Sequence, residues 1–418
     1  MKINRYEVVN MKYIFTIIAF LSVFSFYLGN RSYAIKNPVK TNLSDSIGYH
    51  NFHPHREINY QLNRCLEGGR EQDLMEIAPN IKNFTDWKRE MLIIAEKALK
   101  EKRLLNAAFY YRYSCFFANQ EDPDRLKTYL IFTNLINSVY QNVGLKRYEI
   151  LYDHGYLPVL RSTPYPNKGT IILTSGFDSY LEEYIPRILY FASAGYDVIA
   201  FNGPGQGETL IKYKQYMTPE WEKPMGTILD YFKLDNVTAI GISLGGYLAV
   251  RAAAFDTRIK RVVAFDVMYD FYDCMAKRNT SIANILLETA FTLKFDFLID
   301  AIMRQRMKDD MQADWFIRQG MIVTGQNSPA GFLRECRKYN LKNCSNRLKQ
   351  DMLILAGSED YYVPLSQFYQ QIAGLVNAKS ITGRIFTKEE QAQNHCQYGN
   401  SNLAHAFILN WINQISKQ

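Results

Sequence analysis

The chain has 418 residues, 49 Lys and Arg against 41 Asp and Glu, a net charge of +8, and 47% hydrophobic against 22% charged residues. That balance excludes a mainly disordered chain, and the mild basicity without a Lys/Arg block argues against a dedicated nucleic-acid binder. Six Cys are too few for a disulfide-built scaffold, so the core must come from ordinary packing, in two or three domains at ~150 residues each.

The first feature in chain order is an uncharged apolar run over residues 13–29, preceded by Lys2, Arg5 and Lys12 and followed by Ser32-Tyr33-Ala34. This is the layout of a secretory signal peptide cleaved after Ala34. An uncleaved membrane anchor is the alternative, although a helix of this length spans ~25 Å against a hydrocarbon core of ~30 Å. Cleavage would remove four basic residues and one acidic residue, leaving a net charge of about +5, so the basic balance says little about partners. Export makes Cys65, Cys115, Cys274, Cys336, Cys344 and Cys396 worth weighing as disulfides. Most are expected to be buried thiols, with Cys336 and Cys344 close enough in sequence for a bridge. No CxxC spacing supports zinc or redox chemistry.

Residues 55–142 read as helical. Trp87, Met91, Ile94 and Ala98 keep a helical spacing behind the cap candidates Thr85 and Asp86. A second helix carries Leu105, Phe109, Tyr113 and Phe116, and a third runs from Asp124 to Gln141. No period recurs, so a helical-repeat array is rejected. His50, His53 and His55 lack metal-site spacing and are expected to be solvated.

After residue 148 short β-rich runs alternate with helices. The predicted strands are Tyr148–Tyr152, Tyr156–Arg161, Thr170–Thr174, Asp197–Asn202, Val237–Ile242, Arg261–Asp266, Met352–Ala356 and Gly383–Thr387. Helical runs at 182–194, 244–255, 365–376 and 402–416 lie between or after them. The expectation is an α/β fold, a mostly parallel eight-stranded sheet covered on both faces. Residues 270–348 break the rhythm with a long, aromatic-rich helical stretch, expected to be a lid inserted over one end of the sheet. The predicted division is 1–34 signal or anchor, 35–147 helical cap domain, and 148–418 catalytic domain.

Gly241-Ile242-Ser243-Leu244-Gly245-Gly246 ends a strand and opens a helix. Glycines are needed at so sharp a turn, and the serine is thereby raised above the sheet at a helix N-terminus. A serine nucleophile needs a base, and at such a turn the acid and the histidine follow it in the chain. Of six His, only His395 and His405 lie beyond the last strands. His405 sits inside an apolar helix, where a packed histidine is expected, whereas His395 occupies a polar loop that can reach Ser243. Asp360, after the strand Met352–Ala356, is the chosen acid, with Glu359 and Asp266 behind it. The oxyanion hole is expected from the amides of Leu244 and Phe177, Gly176 letting the second turn inward. Gly203-Pro204-Gly205-Gln206-Gly207 has a proline in the motif and no P-loop lysine, so it is read as a pocket-entrance loop rather than a dinucleotide site.

Together these motifs resemble the α/β-hydrolase superfamily, in particular its subfamily with an N-terminal helical cap. That subfamily includes fermentation–respiration switch esterase-like, dihydroxypseudooxynicotine hydrolase-like and fungal pigment polyketide-shortening hydrolase-like proteins. The resemblance rests on Gly176-Phe177-Asp178-Ser179 with Glu182-Glu183, on Pro204-Gly205-Gln206-Gly207-Glu208, on Gly241–Gly246 and on His395-Cys396-Gln397. Relatives tend to carry Asp-Arg where this chain has Asn202-Gly203. The resemblance implies a Ser243–Asp360–His395 triad and packing of 55–142 with 270–348 over the site. The expected activity is serine hydrolysis through an acyl-enzyme, on an ester or a β-diketone C–C bond of an apolar or aromatic acyl substrate. Acyl transfer by the same triad and a non-catalytic, membrane-tethered interaction protein are the alternatives. No cofactor or metal is predicted. The expected partner is a small-molecule substrate, with a membrane tether through residues 13–29 and a homodimer left open.

Overall fold

The computed structural model describes residues 47–119, 122–276 and 281–416, so the apolar run at 13–29 and its cleavage site lie outside the described residues. Among the described residues no helix is long and apolar enough to cross a membrane.

Eight strands form one sheet: β1 (Lys146–Tyr152), β2 (Gly155–Ser162), β3 (Thr170–Thr174), β4 (Asp197–Phe201), β5 (Val237–Ile242), β6 (Ile259–Phe265), β7 (Asp351–Gly357) and β8 (Ser380–Phe386). Their spatial order is β1-β2-β4-β3-β5-β6-β7-β8. The pairs β1–β2 and β2–β4 are antiparallel, and every pair from β4 to β8 is parallel. Every residue of β4, β5 and β7 is buried, as continuous Val/Ile/Ala runs require when helices cover both faces. The outer strands β1 and β8 carry exposed residues along their length. Helices Ile185–Ser193, Leu244–Phe255, Ser366–Gly374 and Ser401–Ile415 fall where the sequence predicts helical runs.

Among the described residues five α-helices precede the sheet, at Arg56–Cys65, Glu71–Ile77, Phe84–Lys100, Leu104–Ser114 and Asp124–Val139. The predicted stripe Trp87, Met91, Ile94 and Ala98 is fully buried, and the Trp87 indole donates to Tyr113 O at 2.7 Å. The cap differs from the expectation. Asn83 accepts the Asp86 amide at 2.9 Å, and Thr85 and Asp86, two and three residues further on, lie inside the helix.

Charge docks this helical segment on the sheet-bearing part. Arg64 meets Asp178 at 2.8 Å and Glu183 at 3.3 Å, Arg112 meets Glu183 at 2.7 Å, and Arg187 pairs with Glu67. All six side chains are at least four-fifths buried, so each charge depends on its partner.

Between β6 and β7 the described residues form five α-helices, Asp273–Ala276, Ser281–Thr292, Asp296–Asp309, Met311–Thr324 and Pro329–Cys336, in the stretch predicted as an insertion. Asp310 caps the fourth by accepting the amides of Gln312 and Ala313, and Ser328 caps the fifth by accepting that of Gly331.

Two expectations are corrected. All six cysteines are free, buried thiols, and Cys336 and Cys344 form no bridge: they are 1% and 2% exposed, and the Cys344 thiol faces Leu341 O at 3.6 Å. His50, His53 and His55 are half-buried rather than solvated. His50 faces Glu71 at 3.2 Å, and His53 bonds Ile81 O at 2.9 Å while accepting the His55 amide.

Candidate active site

The site forms at the carboxyl ends of β3, β5, β6 and β7. Ser243 follows β5 directly and holds φ 60°, ψ −125°, a sparsely populated conformation for a residue with a side chain. It persists because the surroundings fix it: its amide donates to Phe265 O at 2.7 Å, and its carbonyl accepts from Gly246 N at 2.7 Å. A Cβ on Gly241 would stand 1.8 Å from Gly245 O, so the strand can pass this closely under the helix only without a side chain.

His395 arrives from the loop after β8. Cys396 and Gln397 take left-handed φ values of 52° and 50°, which turn the chain sharply just after the histidine. Ser243 Oγ lies 2.7 Å from His395 Nε2, and His395 Nδ1 lies 2.6 Å from Asp360 Oδ2. The other Asp360 oxygen accepts the amides of Tyr362 at 2.7 Å and Val363 at 2.9 Å, which fixes the carboxylate. The structure thus brings Ser243, His395 and Asp360 into one hydrogen-bonded chain. Glu359 is exposed, and its backbone alone is engaged: its carbonyl accepts from Arg56 and its amide donates to Gln393 O at 2.9 Å. His405 is packed away, its Nδ1 on Ser401 O at 2.6 Å, and burial pushes its pKa down to about 3.

Asp266 comes closer to the histidine than its third rank predicts. It leaves the end of β6, is 1% exposed, and places Oδ2 3.4 Å from His395 Nδ1. Burial and the neighbouring Asp360 charge push its pKa up to about 7. Burial is the largest single influence on His395 and works against an imidazolium, but the Asp360 carboxylate and Cys396 together outweigh it and hold the ring well above the usual histidine range. Asp266, His395 and Cys396 also bring ligand-type atoms within 4.8 Å of one another. Both ring nitrogens of His395 are already bonded, so this cluster is a part of the hydrogen-bonded chain.

Phe177 and Leu244, the expected oxyanion donors, flank Ser243. A Cβ on Gly176 would meet Ser243 Cβ at 3.0 Å and Leu244 N at 3.3 Å, so the turn after β3 lies directly against the serine. Gln206 supplies what sequence reasoning missed: its Nε2 donates to Ser175 O at 2.7 Å and to Gly176 O at 3.0 Å. In a planar trans peptide the N–H points opposite to the C=O, so pinning Gly176 O aims the Phe177 amide the other way. Gln319 of the insertion donates to Phe177 O at 3.2 Å and fixes the next peptide. The loop that carries Gln206 also explains the Asn202-Gly203 departure. A Cβ at 203 would lie 2.2 Å from the Trp221 ring, whose N–H bonds Thr174 Oγ1 at 2.9 Å.

One cavity opens onto Ser243 and His395, walled by aromatic rings of the insertion and of the helical segment. Phe177 packs against Phe271 at 5.2 Å, Phe316 at 5.6 Å and Trp315 at 6.1 Å between ring centres, and Tyr362 meets His395 at 5.3 Å. From the helical segment, Tyr60 OH donates to His395 O at 3.2 Å.

A parallel sheet with a strained serine turn after β5 defines a class, and the family model for the alpha/beta hydrolase fold matches residues 169–398. The chain belongs to that family and is an enzyme of the α/β-hydrolase class. It is similar to the hydrolyase poxO of Penicillium oxalicum, 30% identical, over 73% of this chain and 82% of that protein. It is likewise 30% identical to the 20-hydroxy-prefusarin hydrolase FUS2 of Gibberella moniliformis, over 62% of this chain and 66% of the relative. Among solved structures, the 2,6-dihydroxy-pseudo-oxynicotine hydrolase shares the fold at TM-score 0.60 and 18% identity, over 84% of this chain and 94% of that one. AbyA5 does so at TM-score 0.61 and 15% identity, with the same coverage.

Proposed function

We propose that this protein is a serine hydrolase that acts through an acyl-enzyme on an apolar or aromatic acyl substrate. The observation that carries the reading is the unbroken chain from Ser243 Oγ through His395 to Asp360, opening into an aromatic-walled cavity. Ser243 Oγ attacks the substrate carbonyl while His395 Nε2 takes its proton. The amides of Phe177 and Leu244 receive the developing oxyanion, at the N-terminus of helix Leu244–Phe255. The imidazolium then gives its proton to the departing group, and water, deprotonated by His395, releases the acid.

The leaving group is an alkoxide for an ester. For a β-diketone it is a carbon, which departs as an enolate stabilised by the second carbonyl and is protonated by the same imidazolium. The hydrolase names of the similar proteins agree with both chemistries. The apolar run at 13–29 adds the expectation of export or membrane attachment, to be read from fractionation and N-terminal sequencing of the mature protein.

A panel of p-nitrophenyl esters beside aryl β-diketones, run with and without added alcohol or amine, tests the reading. Hydrolysis of one class, lost in Ser243→Ala, is expected. Products carrying the added acceptor would make the protein an acyltransferase, and turnover that survives Ser243→Ala would overturn the mechanism.

A further inference from the structure

Two carboxylates, not one, stand at His395, and the sheet order explains why. Strand β6 lies between β5, whose end carries Ser243, and β7, after which Asp360 follows, so the residue leaving β6 emerges between nucleophile and acid. That residue is Asp266. Its Oδ1 accepts Gln397 Nε2 at 2.8 Å, and its Oδ2 accepts the Cys396 amide at 2.7 Å. The same Oδ2 lies 3.4 Å from His395 Nδ1, against 2.6 Å for Asp360 Oδ2. The two acids therefore straddle a single ring N–H, the nearer one bonded and the farther one a fraction of an ångström beyond bonding range.

We infer that Asp266 is a second positioning acid for His395, able to hold the imidazole in its working tautomer when Asp360 does not. This rests on the reading of His395 as the base of a serine hydrolase.

Holding the loop 394–397 does not by itself need a charge at this position. A side-chain amide oxygen accepts from Gln397 or Cys396 without the cost of burying a carboxylate, which runs to several kcal/mol. Among the described residues the cationic group beside this charge is the His395 ring, and that is the group it serves. The two acids are also linked. Burial and the Asp360 charge together keep Asp266 partly protonated near neutral pH, at about 7. Removing the Asp360 charge both frees the Nδ1–H and lets Asp266 ionise, so the replacement is strongest when it is needed.

The test compares Asp360→Asn, Asp360→Ser, Asp266→Asn and the double variant Asp266→Asn/Asp360→Asn on the best substrate of the panel. Proton NMR of the intact protein at low field gives a second readout, through the downfield resonance of the His395 Nδ1–H. Loss of a sole triad acid costs about four orders of magnitude. Asp360→Ser or Asp360→Asn is expected to stay within about 100-fold of wild type, with the double variant at least about 100-fold lower. Asp266→Asn alone should lose under about 10-fold while its low-pH limb moves to lower pH, because a negative charge leaves the ring. The downfield proton should persist in Asp360→Ser and vanish in the double variant. The inference is overturned if neither Asp360 variant exceeds the double variant, or if the resonance is lost with Asp360 alone. The NMR readout needs no turnover, so it fails or succeeds separately from the hydrolase reading.

Discussion

Glu183 is the acceptor on which two buried arginines converge, and its truncation offers a quantitative test of how the helical segment is held. Its Oε1 takes Arg112 Nε at 2.7 Å and the Tyr180 amide at 2.8 Å, and its Oε2 takes Arg64 at 3.3 Å. Glu183→Ala leaves the Arg112 guanidinium, a side chain 3% exposed, with Asp178 O as its remaining acceptor, at 2.5 Å. Removing one partner from a buried pair costs about 3–5 kcal/mol, because the other charge stays desolvated. Glu183→Gln keeps the shape and the Tyr180 bond while losing the charge, so about half that loss is expected. Replacing the arginine as well, in Glu183→Ala/Arg112→Met, removes the orphaned charge and should recover at least about 1 kcal/mol of coupling. Urea denaturation followed by far-UV circular dichroism reads these differences as midpoint shifts at constant slope. A Glu183→Ala protein within about 0.5 kcal/mol of wild type, or a coupling near zero, would refute the claim that these arginines depend on Glu183.

Two further outcomes concern the site. The raised His395 pKa means that the neutral base is lost early on acidification, so kcat/KM should fall as pH drops through a midpoint above 6.5; a midpoint below 6.5 contradicts the assigned Asp360 influence. Gln206→Ala unpins the carbonyls of Ser175 and Gly176 and should lower kcat by about 10- to 100-fold with little change in KM, an indirect share of what one oxyanion donor is worth. A change confined to KM would instead make Gln206 a part of the entrance.

The turn that carries Ser243 was legible because the local constraints there are severe. Gly241 and Gly245 flank Ser243 because no side chain fits there, and a motif with so strong a steric reason can be read without coordinates. The inner strands β4, β5 and β7 were legible because parallel strands buried on both faces leave continuous apolar runs. His395 followed from elimination, since chain order left only two histidines. What stayed hidden depends on long-range pairing. Arg64 and Arg112 are ordinary helix residues until Asp178 and Glu183 meet them across more than 60 positions of sequence, although an arginine within the apolar run Leu104–Ser114 was a signal that could have been used. Asp266 ranked third because strand order, not sequence distance, puts the end of β6 between Ser243 and Asp360. The Cys336–Cys344 bridge failed for a related reason: nearness in sequence says nothing about where each side chain points, and both thiols are buried singly.

The most direct measurement is active-site titration of the full chain with a fluorophosphonate, followed by intact mass and peptide mapping. One adduct per chain is expected, on Ser243, absent from Ser243→Ala and strongly slowed in His395→Ala, because only a hydroxyl relayed to that imidazole is nucleophilic enough to react. No adduct on the intact protein, or an adduct that persists in Ser243→Ala, would contradict it.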